Sequence, residues 1–367
     1  MLLAGAALVV GLSTWLTAVE HAAEVPPSPS ARLLDPLLLA GADAEQRRLE
    51  LLSRAEVRFD GASTDTGHTD ELSSCHFVES PHSGTTPKFE CVLSSGEVVK
   101  VKYGRHPEIH AEVAATRLLQ LLGYPADTVT VVPRLLCYGC PRFPFTGSRV
   151  RLNPLTRNLP IETEGYTDFE WASVERKFPA RPIETENTKG WHWWELDRVR
   201  AAPGAHQPPD ADRTAEIDAL KLLAVFLAHW DNKSENQRLV CVDADSDTCA
   251  RPLAMIQDLG ATFGPMKANL ARWRDLPIWA DRETCAVTMR TLPYRGATFR
   301  DGVISEAGRA RLAARLTALG PDAVRRLFAY ARFAEYQSST SDQKDLDAWT
   351  AAFHDRVSQI AHARCPA

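Results

Sequence analysis

The spacing of apolar residues changes about halfway along the chain. From Cys75 to Tyr103 they fall in short β-prone runs, Cys75–Val78, Lys88–Leu93 and Glu97–Tyr103, separated by Gly84 and by Ser94-Ser95-Gly96, which predicts an antiparallel meander. Pro107 to Leu122 predicts a helix, because Pro opens its first turn, Glu108 follows, and Gly123 stops it. A strand-like Thr128–Pro133 leads through Cys137-x-x-Cys140 into a stretch without a clear period. Within it, Phe169 to Trp194 holds Trp171, Trp191, Trp193 and Trp194, indoles that read first as loop anchors against a core and second as a grip on a ligand. From Thr214 to His229 the period becomes helical, with Ile217, Leu220, Leu223 and Leu227 on a broad apolar face. Strand-like Gln237–Cys241 and Leu253–Ile256 flank an acidic turn, and Ser305–Leu319, Asp322–Ala334 and Leu346–Ala363 predict helices. Strands first and helices later give an α+β architecture of two lobes with a cleft at their junction. The expected lobes are 73–168 and 169–367.

The chain has 367 residues, 44% hydrophobic and 24% charged, enough for two packed units and a sizeable core. That composition excludes wholesale disorder, collagen and a multi-span membrane protein. With 47 acids against 42 bases, a net charge of −5 and no long basic run, the chain lacks the footprint of a nucleic-acid binder, and no such partner is expected. Only nine of the bases are lysine, so each lysine is worth locating.

Leu2 to Val19 is uncharged and mostly Leu, Ala, Val and Gly, and reads as an export segment. No Lys or Arg precedes it, and the small-residue sites after Ala22 and Ala23 have Glu20 or His21 three residues back. For 1–23 the sequence therefore leaves a cleaved signal peptide and an uncleaved anchor attached to a membrane both open, with a buried helix as a third reading. Ala23 to Leu33 is rich in Pro, Ser and Ala, and Asp43 to Val57 predicts a short charged helix, so 24–72 reads as linker and lead-in helix. Eight cysteines, an even number, agree with structural disulfides in an exported or membrane-anchored chain of an oxidising compartment, whether periplasmic, extracellular or secretory. Cys75/Cys91 and Cys241/Cys249 are spaced to close hairpins and Cys137/Cys140 could form a tight bridge, but spacing does not fix the connectivity.

Three short segments carry chemistry. His229-Trp230-Asp231-Asn232-Lys233-Ser234-Glu235-Asn236 directly follows the long apolar helix. Phosphoryl transfer needs a carboxylate to orient the attacking hydroxyl, a cation beside the transferred group and an oxygen ligand for magnesium, and Asp231, Lys233 and Asn236 offer all three on one loop. A polar turn capping a helix is the plain alternative. The second segment, Met255-Ile256-Gln257-Asp258-Leu259-Gly260, ends an apolar run in Asp-Leu-Gly 22 residues after Asn236. Between them Asp243, Asp245 and Asp247 are spaced like a calcium loop, but Thr248 and Ala254 stand where Gly and a bidentate Glu belong, so a solvated turn is expected. The third segment, Gly96 to Lys102, carries Lys100 and Lys102 on one face of a strand. A carboxylate amid small apolar residues wants a cation; Glu112 is so placed on the following helix, and Glu108, one turn earlier, is the alternative.

The first segment resembles the protein-kinase catalytic loop HRDLKPEN at His229, Asp231, Lys233, Glu235 and Asn236. Asp258-Leu259-Gly260 is similar to the DFG element, and Gly96 to Lys102 resembles the GEVVAVK strand, with Lys100 in place of the family's small residue above adenine. The family's GxGxxG is absent; Ser83-Gly84-Thr85-Thr86-Pro87-Lys88 instead resembles the SGxQxK loop of HipA-type kinases, where hydroxyls and backbone N–H groups meet phosphate. No APE-like motif follows Asp258. The likeness covers roughly Cys75 to Gly264 and points to the atypical branch of the kinase-like superfamily, with HipA-type, phosphatidylinositol and secretory-pathway kinases as relatives. It implies a bilobal protein-kinase-like fold, a small β-rich N-lobe over a mainly helical C-lobe, and an ATP- and Mg2+- or Mn2+-dependent phosphotransferase acting on an unidentified hydroxyl acceptor. In the implied site Asp231 and Lys233 are catalytic and Asn236 and Asp258 hold metal. Lys102 (or Lys100, if the register differs), Glu112, Ser83, Gly84, Thr85 and Lys88 bind nucleotide. A catalytically silent binding module and nucleotidyl transfer on the same scaffold remain open readings.

Overall fold

The computed structural model describes residues 35–59, 72–82, 84–104, 106–158, 161, 165–201, 211–243, 248–293, 296–335 and 341–366. The expected signal or anchor segment, Ser83, Asp245 and Asp247 lie outside them. The chain enters through a short strand, β1 (Leu37–Leu39), and a helix, α1 (Ala44–Arg54). Leu51 and Leu52 seat this helix in the core. Its buried Arg48 pairs with the buried Glu195.

Five strands then close into a barrel: β2 (Ser74–Val78), β3 (Lys88–Val92), β4 (Val98–Lys102), β5 (Thr128–Tyr138) and β6 (Tyr166–Arg176), in the order β2-β3-β4-β6-β5. Alternation does the sorting, since Phe89, Cys91, Val99 and Val101 point inward and pack with Val132, Leu135, Ala172 and Val174. Lys100 and Lys102 are thereby turned to the outer face. Against that face lies α2 (Pro107–Leu121), buried from Ile109 to Thr116, as a helix apolar on most sides must be. A short α3 (Pro144–Leu152) sits in the excursion between β5 and β6.

Phe169 to Trp194, expected to be irregular, instead supplies most of β6 and all of β7 (Arg181–Thr185). The strand signal is broken locally: Pro133 in β5 has no N–H to give, and opposite it Trp171 takes a left-handed φ of 55°, so the ladder skips this pair and resumes at Val132↔Ala172. Residue 168, where the first lobe was expected to end, lies within β6, and the chain leaves the barrel only at Lys177. The indoles divide: Trp191 and Trp193 are buried anchors, while Trp194 is 41% exposed.

Beyond Lys177 a second sheet has the order β1-β7-β8-β9, with β8 (Gln237–Cys241) and β9 (Pro252–Ile256). β1 adds to β7 in parallel, Leu37 opposite Ile183, so the stretch expected as linker and lead-in helix also contributes a strand and a packed helix to this half. Around the sheet lie α4 (Trp193–Ala201), the long buried α5 (Ala211–Leu227), α6 (Leu270–Asp275), the two-stranded β10 (Ala286–Thr288) and β11 (Asp301–Val303), α7 (Glu306–Thr317), α8 (Pro321–Tyr330) and α9 (Leu346–Ala361). The architecture is α+β, a barrel half followed by a mostly helical half. Disulfides join Cys75–Cys91, Cys137–Cys140, Cys241–Cys249 and Cys285–Cys365. Among the described residues no helix is long and apolar enough to cross a membrane.

Candidate active site

Lys102 is where the two halves meet. Its Nζ lies 2.8 Å from Glu112 Oε1 on α2, 2.8 Å from Asp258 Oδ1 just past β9, and 3.9 Å from Glu108 Oε1. Burial alone would lower the ammonium pKa; Asp258 and Glu112 overcome it and hold Lys102 well above its ordinary value. Burial likewise works to raise the Asp258 carboxyl, but Lys102 and Lys100 hold it well below the carboxylate range. Burial outweighs Lys102 at Glu112, which is pushed up to about 7. Both candidate acids of α2 therefore approach the lysine, and Glu112 makes the closer contact. Glu108 also accepts a hydrogen bond from the Thr86 hydroxyl. Gly260 admits it, because a Cβ there would come within 2.4 Å of Glu108 Cγ.

Lys100 goes elsewhere. It stands opposite Glu175 in the β4–β6 ladder and pairs with that buried carboxylate. Glu175 also takes Lys177, whose Nζ lies 3.0 Å from Asp127 Oδ2 and 3.2 Å from Gln257 Oε1. Burial opposes the charge on Glu175, and Lys100 and Lys177 overcome it and keep the carboxyl below its usual range. The geometry thus separates the two lysines that the sequence left open, placing Lys102 with Glu112 and Asp258. Lys177, Glu175, Asp127 and Gln257 were not singled out from sequence; the scarcity of lysine was the only pointer to Lys177.

The loop after α5 is fixed at both ends. The last four carbonyls of the helix, otherwise orphans, are all satisfied. Ala224 O accepts from His229 N at 2.9 Å, Val225 O from Ala228 N at 3.0 Å and Leu227 O from Phe263 N at 2.7 Å. Phe226 O accepts from Trp273 Nε1 at 2.8 Å and from the Arg356 guanidinium at 3.0 Å. Arg356, on α9, is fully buried, stacks on Phe226 and Trp273, and also donates to Trp273 O and Leu276 O. Ala228, with a φ of 55°, turns the chain out of the helix. Within the loop the buried Asn232 donates to His229 O at 3.0 Å and accepts from Thr298 N and Phe299 N, both at 2.8 Å.

Asp231, Lys233 and Asn236 come together on this frame: Lys233 Nζ lies 3.3 Å from Asp231 Oδ2, and Asn236 Nδ2 donates to Asp231 O at 2.6 Å, leaving the amide oxygen as an acceptor. Gln257 ties the loop to Asp258. Its backbone N–H donates to Asn236 O at 2.9 Å and its Nε2 to Glu235 O at 2.8 Å, while its Oε1 takes Lys177. Asp258 has a left-handed φ of 52°, a conformation an aspartate tolerates better than most residues. His229 is fully buried, and burial pushes its imidazole down to about 4.

The β2–β3 loop carries Gly84, Thr85 and Lys88. Gly84 has a φ of 84°, and a Cβ there would lie 3.4 Å from Lys88 Nζ, so the loop folds directly over this lysine. Burial lowers the Lys88 ammonium from its ordinary value, with Asp258 pulling the other way. Lys88 is opposite Lys102 in the ladder. Lys102 therefore contacts the Asp258 carboxylate of the other half, and Lys100 and Lys88 add positive charge that acts on it, a charge pattern suited to a polyphosphate bound with a divalent cation. Asp258, ionised, and the Asn236 amide oxygen are hard oxygen donors of the type such a cation takes.

No protein-family model matches the chain, and no curated protein matches it. Among solved structures it is similar to the proinflammatory kinase CtkA of Helicobacter pylori, over 75% of this chain and 92% of that one, at 10% identity and a TM-score of 0.41. It is also similar to the Golgi casein kinase, at 10% identity over 88% of this chain and 75% of that one, with a TM-score of 0.36. The Golgi casein kinase with Mn/ADP bound matches over 79% and 72%, at 10% identity and a TM-score of 0.35.

Proposed function

We propose that the chain is a kinase-like phosphotransferase that moves the γ-phosphoryl group of ATP to a hydroxyl acceptor. The observation that carries this reading is the convergence of Lys102, Glu112 and Asp258 at 2.8 Å, with Asp258 tied through Gln257 to the loop of Asp231, Lys233 and Asn236. In this scheme Lys102, held by Glu112, binds the α- and β-phosphates, and Gly84, Thr85 and Lys88 cover the phosphates from above. Asp231 orients the acceptor hydroxyl and takes its proton as the oxygen bonds to the γ-phosphorus. Lys233 steadies the transferred group while the bond to the β-phosphate oxygen breaks and ADP leaves. Asp258 and Asn236 would hold Mg2+ or Mn2+, which supplies positive charge against the phosphate oxygens. Most of the rate then comes from positioning and electrostatics. The four disulfides support an exported or membrane-anchored chain.

The test is turnover of γ-labelled ATP by the full chain made in an oxidising compartment, with Mg2+ or Mn2+, followed by mass spectrometry of the protein for added phosphate. Asp231→Asn is expected to keep nucleotide affinity within a few-fold while turnover falls by on the order of 10²–10⁴. Full turnover in that variant would refute the reading. Label from the α-phosphate on the acceptor would identify nucleotidyl transfer instead, and partner binding indifferent to ATP and to Asp231→Ala would identify a binding module.

A further inference from the structure

The excursion between β5 and β6 leaves one end of the barrel, and its described residues, 139–158, 161 and 165, include arginines and no carboxylate. Residues 128–161 contain Arg134, Arg142, Arg149, Arg151 and Arg157 and no aspartate, glutamate or lysine, in a chain of net charge −5; Glu162 and Glu164 follow. Arg134 is held by Asp168 at 2.7 Å. Arg142, Arg149 and Arg157 are exposed and make no ion pair among the described residues. Arg142 lies 5.7 Å over the ring of Phe143 and Arg149 lies 4.9 Å over that of Phe145.

Large apolar side chains protrude from the same segment. Phe143, just before α3, is 63% exposed, and Leu155, three residues past its end, is 92% exposed. Tyr138 and Tyr166 face each other at the end of the β5–β6 ladder, 40% and 51% exposed, with ring centroids 6.2 Å apart. The base is firm. Cys137 and Cys140 are bonded and buried, and Phe145 N donates to Tyr103 Oη at 3.4 Å.

We propose that this excursion docks on an anionic lipid bilayer. Protruding Phe and Leu enter the boundary between headgroups and acyl chains, tyrosines suit the headgroup level, and arginines that pair with no carboxylate among the described residues meet lipid phosphates. A polypeptide partner is the weaker fit, because its anchors would fill pockets, whereas Phe143 and Leu155 stand out singly on either side of a nine-residue helix. With three exposed arginines each contributing roughly fivefold, binding to an anionic surface should exceed that to a neutral one by about two orders of magnitude at low salt.

The test places an environment-sensitive dye on the full chain at Leu155→Cys, the one free thiol in a protein whose cysteines are all paired. The probes are phosphatidylcholine vesicles with and without 30% phosphatidylserine. The dye reports on the excursion itself, so any tethering through Leu2 to Val19 does not imitate the signal. A blue shift and quenching by nitroxide lipids are expected on the anionic vesicles, weakening more than tenfold in 0.5 M salt. Both should be lost in Arg142→Glu/Arg149→Glu/Arg157→Glu and reduced by Phe143→Ser, with ATP turnover and melting temperature unchanged. An equal response on neutral vesicles, a response that survives charge reversal, or no response while the chain cosediments would each overturn the proposal. A shift with soluble polyglutamate and none with vesicles would overturn it in favour of an acidic polypeptide.

Discussion

Lys102→Met removes one charge and nearly nothing else, so its cost can be worked from the structure. Lys102 and Glu112 are each 1% exposed, Lys102 Nζ lies 2.8 Å from Oε1 of Glu112, and Oε2 has no hydrogen-bond partner among the described residues. Taking one member from such a pair typically costs about 3–5 kcal/mol, because the other is left buried and uncompensated. Asp258 adds less, its side chain being 32% exposed and also under the influence of Lys100 and Lys88. In a chain of this size the loss lowers the melting temperature by about 4–6 °C. Lys102→Met/Glu112→Leu should recover more than half of it while turnover stays absent, since the orphaned carboxylate is gone but the proposed phosphate ligand is not restored. The sign of the pH effect follows from Glu112, already raised to about 7 with the lysine present. Without the lysine it rises further above its unfolded value, so the folded variant takes up a proton that the unfolded chain does not, and the deficit shrinks as pH falls from 8 to 5.5. Thermal melts of the three proteins at both pH values give the answer. A single variant that melts with the wild type, or a deficit that grows on acidification, refutes the reasoning.

Gln257→Leu deletes the amide that joins Lys177 to Glu235 O; the metal concentration for half-maximal turnover should rise about tenfold with little change in melting temperature, as for a group that positions the residues proposed to hold metal. His110 is fully buried and pushed by burial to about 4, so the unfolded chain binds its proton first as pH drops below 6.5. Urea unfolding at pH 7 and pH 5 should therefore show about 2 kcal/mol of acid-induced loss in the wild type that His110→Gln lacks. Loss of Cys285–Cys365, which closes 80 residues, should cost about 4–5 kcal/mol against about 2–3 for Cys241–Cys249, which closes 8, read from denaturant midpoints of the serine pairs.

The loop from His229 to Asn236 was legible because its candidate residues lie within eight positions, where spacing alone brings them together. The meander was legible too, since its alternation is clean and Gly84 and Gly96 mark its turns. Choosing between Lys100 and Lys102 was beyond the sequence, because both face the same way from β4, and the choice is made by Glu175 on a strand 75 residues later. β6 was hidden for a local reason: the skipped pair at Pro133 and Trp171 breaks the alternation that would have announced a long hairpin with β5. Asn232 and Gln257 looked like filler between motif residues. Their value lies in hydrogen bonds to Thr298, Phe299 and Lys177, and nothing in a linear pattern reports those.

The clamp on the end of α5 sets an order of events as the chain is made. Arg356, which holds Phe226 O, comes 130 residues later, and Cys365 comes 80 residues after its partner Cys285. At about 5–20 residues per second, the loop of Asp231 waits roughly 6–25 s between its own synthesis and the arrival of the arginine that secures it. During that interval the residues proposed for chemistry exist without the geometry proposed for it. In a chain threaded across a membrane as it is made, the proposed chemistry would therefore begin only on the far side, after α9 has docked.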